Sequence, residues 1–312
     1  MAGGGLRWAA KRAYLEALRF LPDRMAISAD YFRVFGSFPK LDEPKRFSEK
    51  IQHMKLHMRD PRMPALVDKV LVKDHVAAVL GPDWVIPTLW RGGEVTEEVL
   101  RAAPRPAVMK PNHSSAQVIF LDEDTDAEHA VRRANRWLKF DYHLMHREWA
   151  YGQVARQVLI EPFVGEGGVA PPDYKFWVFD GEVRFIQVDH GRFEQHTRQF
   201  YDPRWTRLNL NMNYPSSPAP APAPKHLKDM LEGAAVLAEG FRFVRVDFYD
   251  AARGPLFGEM TFAPEAGLCR FEPRDFDWTL GESWAYPRAV SGGQSLAAPF
   301  DTIRALAQHR EP

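Results

Sequence analysis

The sequence predicts an α+β fold in which helices and antiparallel hairpins occupy separate runs of the chain. Three observations carry this. YKFWVFDGEVRFIQVD (174–189) alternates around Asp180-Gly181, the strongest short-range hairpin signal in the chain. FRFVRVDFYDAARGPLFGEMTFAPEAGL (241–268) reads as a second hairpin, with a strand, a turn at Gly254-Pro255 and a return strand. Residues 49–59, 64–79 and 225–239 read as helices, the first with Ser48 as its N-cap.

The 312 residues, 45% hydrophobic, suffice for a sizeable core in one large or two to three smaller units. The 41 basic and 41 acidic residues balance, which argues against a general DNA- or RNA-binding role. A single cysteine, Cys269, rules out an intramolecular disulfide framework and fits a reducing compartment. No apolar run approaches bilayer length, and the first residues lack the apolar stretch and cleavage site of a secretory signal. The expectation is a soluble cytoplasmic protein.

In chain order, residues 6–21 form an amphipathic helix with Leu6, Trp8, Tyr14, Leu15 and Leu18 on one side and Arg7, Lys11, Arg12 and Arg19 mostly on the other. It either packs on its own domain or lies on an anionic membrane surface as a peripheral contact. In the helix at 64–79, Lys69 and Lys73 are four apart and share a face, suited to solvent or to an anion. WVIPTLW (84–90) reads as a strand and 94–103 as a short polar helix or loop. AVMKP (107–111) is a short buried strand carrying Lys110, followed by the small polar loop NHSSAQ and the strand VIFL (118–121). A strand, a lysine, a small-residue loop and a return strand can fold over phosphates with backbone N–H groups. Residues 126–150 are helical, VLIEPFV (158–164) is a strand with Glu161 inside it, and GEGGVAPPD (165–173) is a loop. GRFEQHTRQFYDPRW (191–205) reads as a polar, aromatic loop, and YPSSPAPAPAPK (214–225) as a stiff, Pro-rich one.

The second hairpin has one odd feature. Asp247 and Glu259 lie in otherwise apolar strands, where carboxylates are rare unless a cation pairs them. Side by side on neighbouring strands they would make a site for a hard cation such as Mg2+; on an edge hairpin they would simply be solvated. No GxxxxGK[ST], GxGxxG, HExxH or paired CxxC occurs, and no GxSxG elbow.

The run FSEKIQHMKL, DKVLVKDHV, VMKPNHSSA, VLIEPFV, DYKFWVFDGEVRFIQVD and VRVDFYD…FGEMTFAPEAG, in this order between Phe47 and Gly267, resembles the TupA-like ATP-grasp proteins of the ATP-grasp superfamily. The resemblance implies a lid subdomain and a C-terminal antiparallel-sheet subdomain holding ATP between them, after a helical and α/β N-terminal region. On the chain this implies an N-terminal helix at 1–24, an N-terminal subdomain at 25–103, a lid at 104–160, a C-terminal subdomain at 161–290 containing the Pro-rich loop, and a tail at 291–312. It also implies roles. Lys73 and Lys110 match the two phosphate-contacting lysines, Glu161 the acid at the adenine hinge and Asp173 the acid at the ribose. Arg245 matches the arginine facing the transferred phosphoryl group, and Asp247 and Glu259 match the Mg2+ ligands. Two positions depart from the superfamily: Thr261 stands where an Asn ligand is usual, and Ser114-Ser115-Ala116 stands where lid glycines are usual.

The function implied is an Mg2+- and ATP-dependent carboxylate–amine ligase. It would act through an acyl phosphate on a bacterial envelope polysaccharide or its precursor, for example joining an amino acid to a uronic acid. Lys110 and Arg245 would be catalytic. Lys175, Arg184, Arg192, His196 and Arg198 are cationic and follow Asp173, so they are candidates to receive a substrate carboxylate; each can equally be a solvated basic residue. His113 reads as structural. The competing functions are a glycosyltransferase, for which Asp122-Glu123-Asp124 and Asp275-Phe276-Asp277 are the nearest DxD-type sequences, and a catalytically degenerate nucleotide-binding scaffold.

Overall fold

The computed structural model describes residue 14 and residues 17–165, 168–191 and 195–286. The helix expected at 6–21 lies largely outside the described residues, as do Arg192 and the expected tail. At the described end of that helix Leu18 is buried, and Arg147 donates to the carbonyl of Leu21 at 3.1 Å.

Helix α1 (Asp23–Phe35) closes on Gly36, whose φ of 72° is the left-handed conformation of a helix C-terminus. Helix α2 (Phe47–His57) begins ahead of the expected cap. Ser48 sits inside it and sends its N–H and hydroxyl to the Asp277 carboxylate, at 2.9 and 2.6 Å. Glu49 supplies the acceptor instead, taking the backbone N–H groups of Lys45 and Arg46 at 3.0 and 3.1 Å.

The helix expected at 64–79 is two helices, α3 (Met63–Val67) and α4 (Leu71–Leu80). Asp68 divides them, because its Oδ1 accepts from the backbone of Val70 at 2.8 Å and Leu71 at 3.4 Å. Lys69 therefore lies in a turn and does not share a helix face with Lys73. Residues 84–90 are not a strand: a 3-10 turn (Pro82–Trp84) leads into irregular chain, and β1 (Trp90–Gly92) starts only at the end of that stretch.

Helix α5 (Glu97–Ala102) is capped by Thr96, which accepts from Val99 N–H at 3.3 Å. Strands β2 (Ala107–Pro111) and β3 (Ile119–Leu121) follow, then α6 (Ala127–Trp137), α7 (Tyr142–His146) and β4 (Val158–Pro162). They form an antiparallel sheet in the order β1-β4-β2-β3. Ala130, Ala134 and Trp137, one stripe of α6, are buried with Met109 and Ile160 of this sheet. The sheet thus takes its edge strand from residue 90, ahead of the boundary expected at 104.

The larger sheet uses β5 (Asp173–Phe179), β6 (Glu182–His190), β7 (Thr197–Tyr201), β8 (Arg207–Leu208), and, after the two-residue strand β9 (Asn211–Met212) and helix α8 (Leu227–Leu237), β10 (Phe243–Ala251) and β11 (Gly254–Thr261). Its order is β11-β10-β5-β6-β7-β8, antiparallel throughout. Asp180 and Gly181 both have positive φ, 49° and 83°, as the tight turn of the first hairpin requires. Two expectations are corrected. Strand β7 runs through what reads as a loop at 191–205. The second hairpin turns at Ala252-Arg253, with Gly254 opening the return strand opposite Ala251.

One face of this sheet packs its apolar residues beneath α8 and Trp84, whose ring meets Phe248 at 5.4 Å. At one end of the other face, Phe47 of α2 meets Trp177, Phe179 and Phe243 at 5.6, 5.8 and 5.1 Å between ring centroids. Strand β12 (Phe271–Glu272) pairs with β9, and α9 (Phe276–Glu282) packs on α2.

At that last contact Gly281 leaves no room for a side chain: a Cβ would stand 2.0 Å from Lys45 O and 2.7 Å from Phe47 N. Gly281→Ala is expected to lower stability by about 1–3 kcal/mol, as overpacking does in cores. Denaturant unfolding of the purified variant checks this.

Candidate functional site

Register decides which side chains meet. Asp247 lies opposite Lys175 on β5 and opposite Glu259 on β11, and Arg245 lies opposite Trp177 and Thr261. Further across, Asp173 is opposite Asp189, and Asp189 is opposite Arg198. Directly opposed residues share a face of a sheet, so these charges gather on the side that carries Trp177 and Phe243, beyond the aromatic end. A register shift in the second hairpin leaves Gly258 unpaired and sets Glu259 beside Asp247; such bulges re-aim a side chain. A Cβ on Gly258 would come within 3.1 Å of Asp247 O, so a small residue suits the bulge.

The contacts are close. The Arg245 guanidinium grips Asp247 with two bonds, 2.7 Å from Nε to Oδ1 and 2.8 Å from Nη2 to Oδ2. The same Nη2 is 2.9 Å from Glu259 Oε1 and 3.1 Å from Thr261 Oγ1, and the Thr261 hydroxyl lies 3.1 Å from Glu259 Oε1. Lys175 Nζ is 3.0 Å from Asp247, 3.3 Å from Asp173 and 4.0 Å from Asp189. Burial opposes the charge on Lys175, but Asp173 and Asp247 outweigh it and raise its pKa. Burial pushes the Asp247 carboxyl up, against the pull of Arg245 and Lys175.

A second cluster comes from the smaller sheet. Glu161 on β4 meets Lys73 of α4 at 2.5 Å and Lys110 of β2 at 2.6 Å. Burial alone would raise the Glu161 pKa, yet Lys110 and Lys73 hold it below the usual carboxylate value. Lys73 also donates to Thr88 Oγ1 at 2.7 Å. Lys69 joins the two clusters: its Nζ is 4.0 Å from Glu259 Oε2, it donates to Ser114 O at 2.7 Å, and burial pushes its pKa down against the pull of Glu259, with Lys110 lowering it and Glu161 raising it further. Asn112 pins this junction, donating to Asp68 Oδ1 at 3.0 Å and accepting Gln157 N–H at 2.8 Å. In the glycine-free loop after β2, Ala116 takes a φ of 61°, a conformation that glycine adopts without strain.

The structure therefore brings Lys73, Lys110 and Glu161 together, and separately Asp173, Lys175, Arg245, Asp247, Glu259 and Thr261. The Asp173 carboxylate turns to Lys175. Arg198 and His196 sit deeper along the face: Arg198 holds Asp189 through two bonds, 2.6 and 3.0 Å, and reaches Glu265 at 3.2 Å, while His196 Nε2 is 3.4 Å from Asp189. Burial works against the Asp189 charge, but His196, Arg198 and Lys175 hold its pKa far down. Arg184 is not brought to the site. It is the extra residue of a bulge between Val183 and Phe185, buried, and 3.2 Å from Glu182. Arg192 lies outside the described residues. Sequence reasoning omitted Lys69 from the site, although Asp68-Lys69 in DKVLVK was its available signal.

Neither DxD-type sequence assembles a metal site. Asp122, Glu123 and Asp124 are exposed, and Asp277 is committed to Ser48. Among the described residues no group of three or more His, Cys, Asp or Glu is placed to hold a metal ion. Asp247 and Glu259 nonetheless converge on one cation, the Arg245 guanidinium. Two carboxylates with a hydroxyl beside them fit Mg2+, which takes few protein ligands and completes its shell with water and phosphate oxygens.

The TupA-like ATP-grasp family model matches residues 49–285. No curated protein matches the sequence. Among solved structures, D-cycloserine synthetase DcsG is similar at 20% identity, over 65% of this chain and 64% of that one, with a TM-score of 0.40. D-alanine–D-alanine ligase from Bacillus anthracis is similar at 16% identity over 64% and 57%, with a TM-score of 0.39. The ATP-grasp ligase PsnB, solved with precursor peptide PsnA2 and AMPPNP, is similar at 16% over 76% and 64%, also with a TM-score of 0.39. The chain spans between about half and two thirds of the length of such structures.

Two outcomes test this geometry. Arg245→Met leaves Asp247 and Glu259 facing each other with one cation fewer, and is expected to cost about 3–5 kcal/mol of stability. Millimolar Mg2+ should restore part of it, read by thermal melting with and without the ion. His113 is buried, donates to Trp137 O at 3.1 Å, and burial pushes its pKa down from 6.5 to about 4. The unfolded chain then binds a proton that the folded chain refuses. Stability is full above about pH 6.5 and falls as pH drops toward 4. Compared over that window, melting of His113→Gln should lose less than that of the unaltered protein.

Proposed function

The chain belongs to the TupA-like ATP-grasp family, and from that premise we propose that it is an ATP-dependent carboxylate–amine ligase acting through an acyl phosphate. The observation that supports this best is the pairing of Asp247 and Glu259 on one cation, within reach of Lys69. ATP brings a run of phosphate charge, and this face offers the matching set. Bound there, Mg2+ would neutralise charge on the terminal phosphates.

In this reading Asp247 and Glu259 hold the ion, with the Thr261 hydroxyl beside them. Lys73 and Lys110 orient the phosphates, Glu161 keeping the two lysines together at the hinge between the sheets. Asp173 fixes Lys175 and helps place the nucleotide. Arg245 presents a planar fork to the phosphoryl group as it moves. A substrate carboxylate attacks the terminal phosphorus, ADP leaves, and an amine displaces phosphate from the acyl phosphate. The two sheets position the partners and keep water from the acyl phosphate. Arg198 and His196, both tied to Asp189, line the deeper part of the same face, where a substrate carboxylate would be received.

The finer reading, ligation onto a bacterial envelope polysaccharide or its precursor such as a uronic acid, rests on the family resemblance alone. No helix among the described residues is long and apolar enough to cross a membrane. A peripheral contact through the first residues belongs to the same finer reading.

Phosphate release from ATP, Mg2+ and a panel of carboxylate–amine pairs tests the proposal. Glu259→Gln is expected to lower turnover by about 10²–10³-fold, the usual cost of one such electrostatic contact. Unaltered turnover in Glu259→Gln would refute the assignment, and ADP formation with the carboxylate alone, unchanged by any amine, would make the protein a kinase of the same fold.

A further inference from the structure

Beyond Thr261 the chain leaves the second hairpin through a left-handed turn. Glu265 has φ 50° and ψ 30°, Ala266 has φ 57° and ψ 21°, and Gly267 continues the run at φ 73°. Two successive residues with side chains crowd their Cβ atoms in this conformation, so it persists only where the surroundings hold it. Helix α2 holds it. Gln52 donates to Ala266 O and to Gly267 O, each at 3.0 Å, and Lys55 donates to Ala266 O at 3.0 Å. Ile51 packs so closely that a Cβ on Gly267 would lie 2.5 Å from its Cγ2. Backbone strain of this kind gathers where a side chain must be aimed. The side chain aimed here is that of Glu265.

Glu265 Oε1 lies 3.2 Å from Arg198 Nη1, and its Oε2 takes no hydrogen bond from the described residues. The side chain is 34% exposed, so that free oxygen is open to a ligand. Arg198 has its partners without it. Asp189 meets the guanidinium through two bonds, Met212 O accepts from Nη1 at 3.3 Å, and the Tyr214 ring centroid lies 4.7 Å from Cζ. Glu265 is also close to the phosphoryl-facing arginine: burial works against the Arg245 charge, but Asp247, Glu259 and then Glu265 raise its pKa.

Resting on the ligase reading, we propose that Glu265 serves the second half-reaction, receiving the amine substrate as its ammonium and taking one of its protons. An ammonium has no lone pair, so a proton must leave before it can attack. Glu265 accepts that proton and, being partly exposed, passes it to solvent. The freed lone pair attacks the acyl carbon and the C–N bond forms. The bond from that carbon to the bridging oxygen breaks, its electron pair leaves with phosphate, and phosphate takes the second nitrogen proton. Contact with Arg198 sets the amine beside the carboxylate received there. The substrate class this selects is a primary amine that arrives protonated.

Hydroxylamine separates this role from the rest of the site. It traps an acyl phosphate as a hydroxamate, and it is uncharged at neutral pH, so it needs neither a receiver for an ammonium nor a base. The full chain is assayed with ATP, Mg2+ and the carboxylate–amine pair that releases most phosphate in the panel above, and again with hydroxylamine in place of the amine. Glu265→Gln is expected to lower amide formation by about 10²-fold or more, the usual worth of a general base, while hydroxamate formation stays within about threefold. Glu265→Gly should show the same split in a protein that melts about as well as the unaltered one, because glycine takes the left-handed φ without strain. Equal loss of both products in the two variants would overturn the assignment and leave Glu265 a structural partner of Arg198. Loss of neither product would overturn it too. No phosphate release with any pair, and no hydroxamate with any carboxylate, would instead remove the ligase reading and this role with it.

Discussion

The site depends on the register that sets both Lys175 and Glu259 opposite Asp247. A carboxylate taken out of water is costly unless a cation and hydrogen bonds meet it. Asp247 is met by Arg245 through two bonds and by Lys175 through one, and Arg245 in turn reaches Glu259 and Thr261. Because successive strand residues point to opposite faces, a slip of one residue in β10 would turn these charges into the apolar layer under α8 and break every pair at once. The charges thus help to specify the register, and the aromatic packing of Phe47 on Phe243 and Trp177 anchors the same face from its other end.

The site is assembled from two sheets with separate cores. Glu161, Lys110 and Lys73 come from the smaller sheet and its neighbouring helix, the acids and Arg245 from the larger one. A short polar junction helps to fix their distance. Asp68 breaks a helix so that Lys69 can lie between the clusters, and Asn112 ties that turn to the loop after Lys110. Apolar packing joins the parts as well: Tyr151 and Val154, ahead of β4, are buried in the same core as Met63 and Val67.

Much of this was legible in the sequence, and the failures have physical causes. The two hairpins were visible because alternation and turn dipeptides are local signals, and the paired acids stood out because carboxylates do not belong in apolar strands. The single helix expected at 64–79 failed because apolar spacing says nothing of an aspartate that caps from within. Strand β7 was hidden because its polar residues, Arg198 and Gln199, are buried by partners distant in sequence: Asp189 for one, and the carbonyls of Ser217 and Ala219 for the other. Arg184 was misplaced because a bulge moves a residue in a way no pattern announces.

The proposed site for Mg2+ and ATP is built on Asp247 and Glu259. Calorimetric titration of the purified protein with ATP, with and without Mg2+, beside UDP-glucose, tests it most directly. ATP binding that depends on Mg2+ is expected, with no response to UDP-glucose. Binding of UDP-glucose without any response to ATP would contradict it and favour a glycosyltransferase.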